Sequence, residues 1–192
     1  MNSSFLTVRV AVTVSVLLST LALSRTCEGQ GSVRYFGSSC GLQPPHGNPK
    51  IILNGTYSVG SVLGAGVTSM GNVAIQYQCY FHGYASLYLG ANDQQMGGQP
   101  LPFLLPMSLT AGWPCQVLTS SDFLWQTVPL TAWPPGGSFT SLVIPNDPRF
   151  LGQKIFFQWA VSYGTGGLNC LPWPGYISYL VTSDAAEVTV GR

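Results

Sequence analysis

"VIPNDPRFLGQKIFFQWAV", residues 143–161, decides how the chain is read. Its first half gathers Pro145, Asp147, Pro148 and Arg149 in a chain otherwise short of charge; its second half runs into Ile-Phe-Phe-Gln-Trp. Upstream, Ser138–Ile144 sets Phe139, Ser141 and Val143 on one face of an extended segment and Thr140, Leu142 and Ile144 on the other. Pro145 has no N–H to give to a ladder, so it ends that strand. Asp147 before Pro148 is the order of a cap followed by proline at the first helical position. Gly152 is placed to close that single turn in a left-handed conformation. A second strand follows in alternation, with Ile155, Phe157, Trp159 and Val161 on one side and Lys154, Phe156, Gln158 and Ala160 on the other. Period two with four large apolar residues on one face predicts a half-buried strand, each larger side chain stabilising the fold by roughly 1.5–3 kcal/mol. The stretch therefore predicts a crossover that carries the chain from one sheet to another. It builds the fold and holds no chemistry.

The same grammar extends in both directions. Short β-rich segments are expected at Ser32–Phe36, Lys50–Leu53, Ser61–Val67, Val73–Tyr80, Ala85–Gly90, Gln116–Ser120, Thr127–Leu130, Ser138–Ile144, Lys154–Ser162, Ile177–Val181 and Ala186–Val190. "GLQPPHGNP", "ANDQQMGGQPLP", "WPPGG" and "YGTGGLN" between them have loop composition. After the N-terminal segment there is no helical periodicity of useful length and no internal repeat. The expected fold class is all-β, a two-sheet antiparallel β-sandwich of immunoglobulin-like or jelly-roll-like type, preceded by a signal-peptide helix.

Composition bounds the function. Of 192 residues only 7% are charged, while 46% are hydrophobic, with 23 glycines and 14 prolines. Abundant aromatic and β-branched residues exclude disorder. Arg9 precedes the apolar run "VAVTVSVLLSTLALS", the length of a signal-peptide core, and Ala22-Leu23-Ser24 or Cys27-Glu28-Gly29 supplies the cleavage pattern. Residues 1–29 are thus expected to be a signal peptide cut near 24 or 29, and residues 30–192 a single domain. Membrane contact is expected only through the signal peptide before cleavage. The remainder scatters five cations (Arg34, Lys50, Arg149, Lys154, Arg192) among five acids (Asp93, Asp122, Asp147, Asp184, Glu187). No basic stripe suits nucleic acid, and no polybasic patch suits anionic lipid.

No catalytic constellation stands out. His46 lies in a Pro/Gly loop, His82 follows Cys79-Tyr80-Phe81, and no Gly-x-Ser-x-Gly elbow guides a triad. Cys79 with His82 offers two metal ligands and nothing to complete the set. The scattered acids do not suggest the facing pair of a glycosidase or a calcium loop. Asn54-Gly55-Thr56 is a glycosylation sequon whose meaning depends on the host. No enzyme activity, cofactor or metal is expected. The aromatics carry what functional promise there is. Trp159 belongs to the core, and Trp125 ends "SSDFLW". Trp113, Trp133 and Trp173 each stand beside proline in loops or at strand ends, where flat rings suit stacking on sugars or anchoring a protein partner.

Cys40, Cys79, Cys115 and Cys170 lie at wide spacings, without the close pairs of a zinc site. In an oxidising compartment they read as two disulfides with three possible pairings, and Cys27 is the odd one.

Ile144-Pro145-Asn146-Asp147-Pro148, then Phe150-Leu151-Gly152, then Phe157-Gln158-Trp159-Ala160-Val161, resembles a family of bacterial exported domains of unknown function whose members often read "IPNDPALLG…FYLQWAV". "ASLYLG" at 85–90, "LPFLLPMSLTAGWPC" at 101–115 and "SDAAEVTVG" at 183–191 are similar to further landmarks of that family, in the same order. The resemblance implies a signal peptide, a two-sheet antiparallel fold, a disulfide and no known activity. Its landmark cysteines imply Cys40–Cys115. The chain departs from the pattern at "QCYFHGY" and "LNCLPWPGYISYLV", each with one extra cysteine, which suggests Cys79–Cys170. The expected function is a secreted or surface-associated, non-catalytic β-sandwich module that is structural or protein-binding. The alternative is a carbohydrate-binding module using Trp113, Trp133 and Trp173. Its partner is open, with a polysaccharide or an envelope protein as candidates.

Overall fold

A computed structural model describes residues 29–40, 48–68, 80–110, 114–130, 137–166 and 177–192. The chain is all-β and its sheets are antiparallel, as the alternation predicts. In chain order the strands are β1 (Ser32–Phe36), β2 (Ile51–Gly55), β3 (Val62–Thr68), β4 (Tyr80–Gly90), β5 (Gln95–Met96), β6 (Gln99–Pro100), β7 (Phe103–Leu104), β8 (Gln116–Val117), β9 (Phe123–Pro129), β10 (Gly137–Val143), β11 (Lys154–Gly166) and β12 (Ile177–Thr189). Five form one sheet in the order β1-β12-β11-β4-β9, three form another in the order β10-β3-β2, and β5-β6 and β7-β8 are small two-stranded pairs.

The opening stretch folds as its residues dictate. β10 belongs to the three-stranded sheet and β11 to the five-stranded sheet, so residues 144–153 carry the chain between them. Asp147 accepts a hydrogen bond from the Arg149 N–H, Pro148–Phe150 make a single 3-10 turn, and Gly152 has φ +73°. The turn is tied down by the end of the chain, because Gly152 N–H donates to Val190 O at 2.8 Å and Val190 N–H to Gln153 O at 2.9 Å.

The apolar faces of the two sheets meet in one core. Leu53, Leu63, Ala65, Val67 and Leu142 come from the smaller sheet, and Leu87, Phe157, Trp159, Val161, Val181 and Val188 from the larger, all buried. Two flanks are stitched by side chains. On one, Ile51 N–H donates to the Asp184 carboxylate at 2.8 Å and Leu53 N–H to the Tyr35 hydroxyl at 3.3 Å. On the other, Trp125 Nε1–H donates to Ser141 O at 3.2 Å, Ser138 Oγ to Pro129 O at 2.8 Å, and the Thr140 hydroxyl to Gln126 Oε1.

Several expectations are corrected. Ile177–Val181 and Ala186–Val190 are one strand, β12, because a bulge absorbs the break: Gln158 pairs with Ala185 and Ala160 with Thr182, leaving Ser183 and Asp184 opposite Trp159. The Ser183 hydroxyl accepts from Trp159 N–H at 3.0 Å in place of the missing ladder bond. From Phe156 to Trp159 β11 is buried on both faces, Phe156 and Gln158 being covered like Phe157 and Trp159; the expected half-buried strand lacked the segment that packs over it there. The strand expected at Ala85–Gly90 starts at Tyr80, and that expected at Thr127–Leu130 starts at Phe123. The Gln116–Ser120 strand is only two residues long, because its polar groups turn to side-chain partners. The "ANDQQMGGQPLP" loop contains a hairpin, turning at Gly97-Gly98 with φ of 56° and 84°, the positive pair that a two-residue turn needs. The strand expected at Val73–Tyr80 lies outside the described residues except for Tyr80.

Candidate functional site

Strand β9 is the edge of the larger sheet and is exposed along most of its length. Its pairing with β4 slips by one residue: Leu87 faces Gln126, but Tyr88 faces Leu124. Trp125 is therefore the extra residue of a bulge, a device that re-aims a side chain. Its indole swings to the free edge of β10, where the N–H bond to Ser141 O fixes the ring, and lies 6.3 Å from the Phe123 ring at 57°.

The outer face of the smaller sheet continues this surface. Its register places Ile52, Gly66 and Phe139 in one cross-strand row, Asn54, Gly64 and Ser141 in the next, and Val62 with Val143 in a third. Phe139, Val62 and Val143 are 59%, 57% and 62% exposed. The central strand has glycine at both middle positions for a packing reason. A Cβ at Gly64 would lie 2.3 Å from the tip of the Phe139 ring, so the ring rests on bare backbone. No residue of β2, β3, β9 or β10 is charged.

At the end of β9, Phe123 also lines an open groove of about 600 Å³ with Leu89, Asp122, Arg149, Phe150 and Lys154. Its charges are already partnered. Asp122 accepts from Ala91 N–H at 2.8 Å and from the Ser120 hydroxyl at 2.5 Å. Arg149 pairs with Asp147 at 2.6 Å, which holds the Asp147 carboxyl below its ordinary range. Lys154 pairs with Glu187 at 2.8 Å. That bond, opposed by burial and reinforced by Arg34, lowers the Glu187 carboxyl. Asp184 serves β2, and Asp93 binds Arg34 at 3.4 Å and Gln94 at 2.8 Å. Among the described residues no three His, Cys, Asp or Glu side chains are grouped to hold a metal ion.

The residues singled out from sequence divide. Cys40 and Cys115 are joined by a disulfide, with Cα atoms 5.0 Å apart. Trp113, Trp133 and Trp173, and with them Cys27, Cys79, Cys170 and His46, lie outside the described residues. Sequence reasoning named Trp125 and set Phe139 on a strand face, but joined neither to a site. The available signal was charge: four strand segments without one ionisable acid or base.

Compared with known proteins, the chain matches no family model, no curated protein and no solved structure. Its surface must speak for itself.

Proposed function

We propose that this chain is an exported, non-catalytic β-sandwich module, in which residues 1–29 direct export and residues 30–192 present a binding face, structural or protein-binding in role. The five- and three-stranded sheets enclosing one core support the sandwich architecture, immunoglobulin-like or jelly-roll-like. The Cys40–Cys115 bridge is compatible with an oxidising compartment. No helix among the described residues is long and apolar enough to cross a membrane. The likeness of "IPNDPRFLG…FFQWAV" to bacterial exported domains supports the same reading. The observation that carries it is the charge-free apolar strip over β9 and the β10-β3-β2 face, because exposed apolar patches on soluble domains mark interaction sites.

Expression with the native N-terminus in a bacterial host, followed by cell fractionation, tests the proposal. The expected result is an oxidised chain starting near residue 25 or 30 that co-sediments with envelope material, while Phe139→Asp stays folded and moves to the soluble fraction. An intact N-terminus on a cytoplasmic chain, or equal release of both forms, overturns it. A second reading, a carbohydrate-binding module, is favoured by one observation: the exposed Phe123–Trp125 ring pair, held in place by a hydrogen bond.

A further inference from the structure

We infer that the outer face of β2-β3-β10, continued by Trp125 and Phe123 round the β9 edge, is a binding site for an uncharged polysaccharide chain. The inference rests on the second reading above and gives it a place and a ligand class.

Three observations select the occupant. The first is charge. The four strands contain no Asp, Glu, Lys or Arg. Lys50 is a single cation at the rim of the face, one residue before β2. Arg149 and Lys154 beside Phe123 are held by Asp147 and Glu187, so the face has no cation cluster for a phosphate, sulfate or carboxylate. Nucleic acid and anionic lipid both require cations.

The second is the order of the rows. Ile52 and Phe139 stand on one side of Asn54 and Ser141, and Val62 and Val143 on the other. All six are exposed. Successive rows on one face of a sheet are about 6.6 Å apart. An amide and a hydroxyl thus lie between two apolar bands. A pyranose chain has that pattern, with apolar C–H faces and hydroxyl edges, whereas an acyl chain would leave Asn54 and Ser141 desolvated without partners.

The third is size. Three strands of up to seven residues offer a projected footprint of roughly 300 Å², a strip that a single extended chain crossing the strands covers. The platform is also set before binding: Trp125 is fixed by its N–H bond to Ser141 O, and Phe139 lies on Gly64 and Gly66. A preformed surface avoids part of the ordering cost of association.

The test uses the full exported chain, oxidised, titrated calorimetrically with soluble mixed-linkage β-glucan, xylan, galactomannan and dextran, with polygalacturonate as the charged control. At least one neutral polymer should bind saturably and shift tryptophan fluorescence. Because no ion pairs are involved, affinity should change less than about twofold between ~50 and ~500 mM salt. Phe139→Ser and Trp125→Ala should each weaken binding by about tenfold or more, the loss of a hot-spot ring, while Trp125→Phe, which keeps a ring but loses the N–H bond that fixes it, should restore it only in part. Circular dichroism confirms that each variant folds. Binding of polygalacturonate alone, or no binding by any neutral polymer, overturns the ligand class. If envelope association persists in that case, the module reading stands without it. Binding that survives Phe139→Ser and Trp125→Ala but is lost in Trp133→Ala or Trp173→Ala overturns the location. A concentration-dependent dimer abolished by Val143→Lys would assign the face to a second copy instead, and would also overturn the inference.

Discussion

On the outer face of the larger sheet, Gln158 is 3% exposed and its amide bonds the Leu118 N–H, Gln116 O and Ser183 O. On the outer face of the smaller sheet, Phe139 and Val143 are each more than half exposed. The first face is roofed by residues 114–122, clamped through the Cys40–Cys115 bridge. Phe36 and Phe156 meet edge-on beneath it at 6.2 Å, and an Arg34–Glu187–Lys154 ion cluster stands at its side. Among the described residues the second has no such covering segment and no ion pair. The difference separates what stabilises from what is offered. Polar and ionic groups gather where the chain covers itself, and the uncharged apolar residues are left where it does not.

Replacing both Cys40 and Cys115 by serine attacks the roof where it is clamped, and should have the largest effect. With the cysteines 75 positions apart in sequence, the chain-entropy model gives a loss of about 4 kcal/mol, readable in denaturant unfolding. Next is Gln158→Ala, which strands the Leu118 N–H and Ser183 O while Gln116 O keeps the Thr182 hydroxyl at 2.9 Å; a loss of about 2–3 kcal/mol is expected. On the bare face, Gly64→Ala should cost about 1–2 kcal/mol by lifting the Phe139 ring. A Gly64→Ala/Phe139→Ala pair should recover part of that cost if the ring rests there.

Glu187 tests the ion cluster. Its carboxyl is held below the ordinary range chiefly by Lys154, so the unfolded chain takes up a proton there more readily than the folded one. The pair's contribution is complete above the ordinary glutamate range, near pH 4.3, and is lost as pH falls through the lower folded value. Glu187→Gln should cost about 1 kcal/mol at neutral pH, since both cations reach solvent, and should flatten the acid limb of the stability curve. Val143→Ser and Val62→Thr should change stability least, within about 0.5 kcal/mol. A larger loss in either would mean that the bare face is part of the core and erase the contrast.

The legible parts of the fold were those where one rule acts alone. Period two from Lys154 onward, Pro145 as a stop and Gly152 as a left-handed closure all rest on local backbone physics, and all hold. The bounds of β1 were readable for the same reason. What escaped was tertiary. The bulge at Ser183-Asp184 looks like a break because the ladder bond of Trp159 N–H is taken by the Ser183 hydroxyl, a side-chain substitution that alternation does not announce. The bulge at Trp125 turns "FLW" into three neighbouring apolar residues with no alternation to follow. Burial of Gln158 depends on residues 114–122, more than thirty positions upstream, and nothing near Gln158 announces them. The candidate surface was legible only in part: its rings were visible as residues, but their union across the β9–β10 seam depends on register and on a bulge.

The two ends of the described fold touch. Arg192 N–H donates to Gly29 O at 2.6 Å, and Gly191 pairs with Ser58 and donates to Tyr57 O at 2.6 Å. The hairpin tip at Gly97-Gly98 is open enough that an added Cβ at either residue would meet nothing within 4 Å. A short linker from residue 192 to residue 29, with new termini at that tip, breaks no ladder and exposes no core. The fold is in this sense a closed ring that can be opened elsewhere, and a circularly permuted chain would carry the β10-β3-β2 face unchanged.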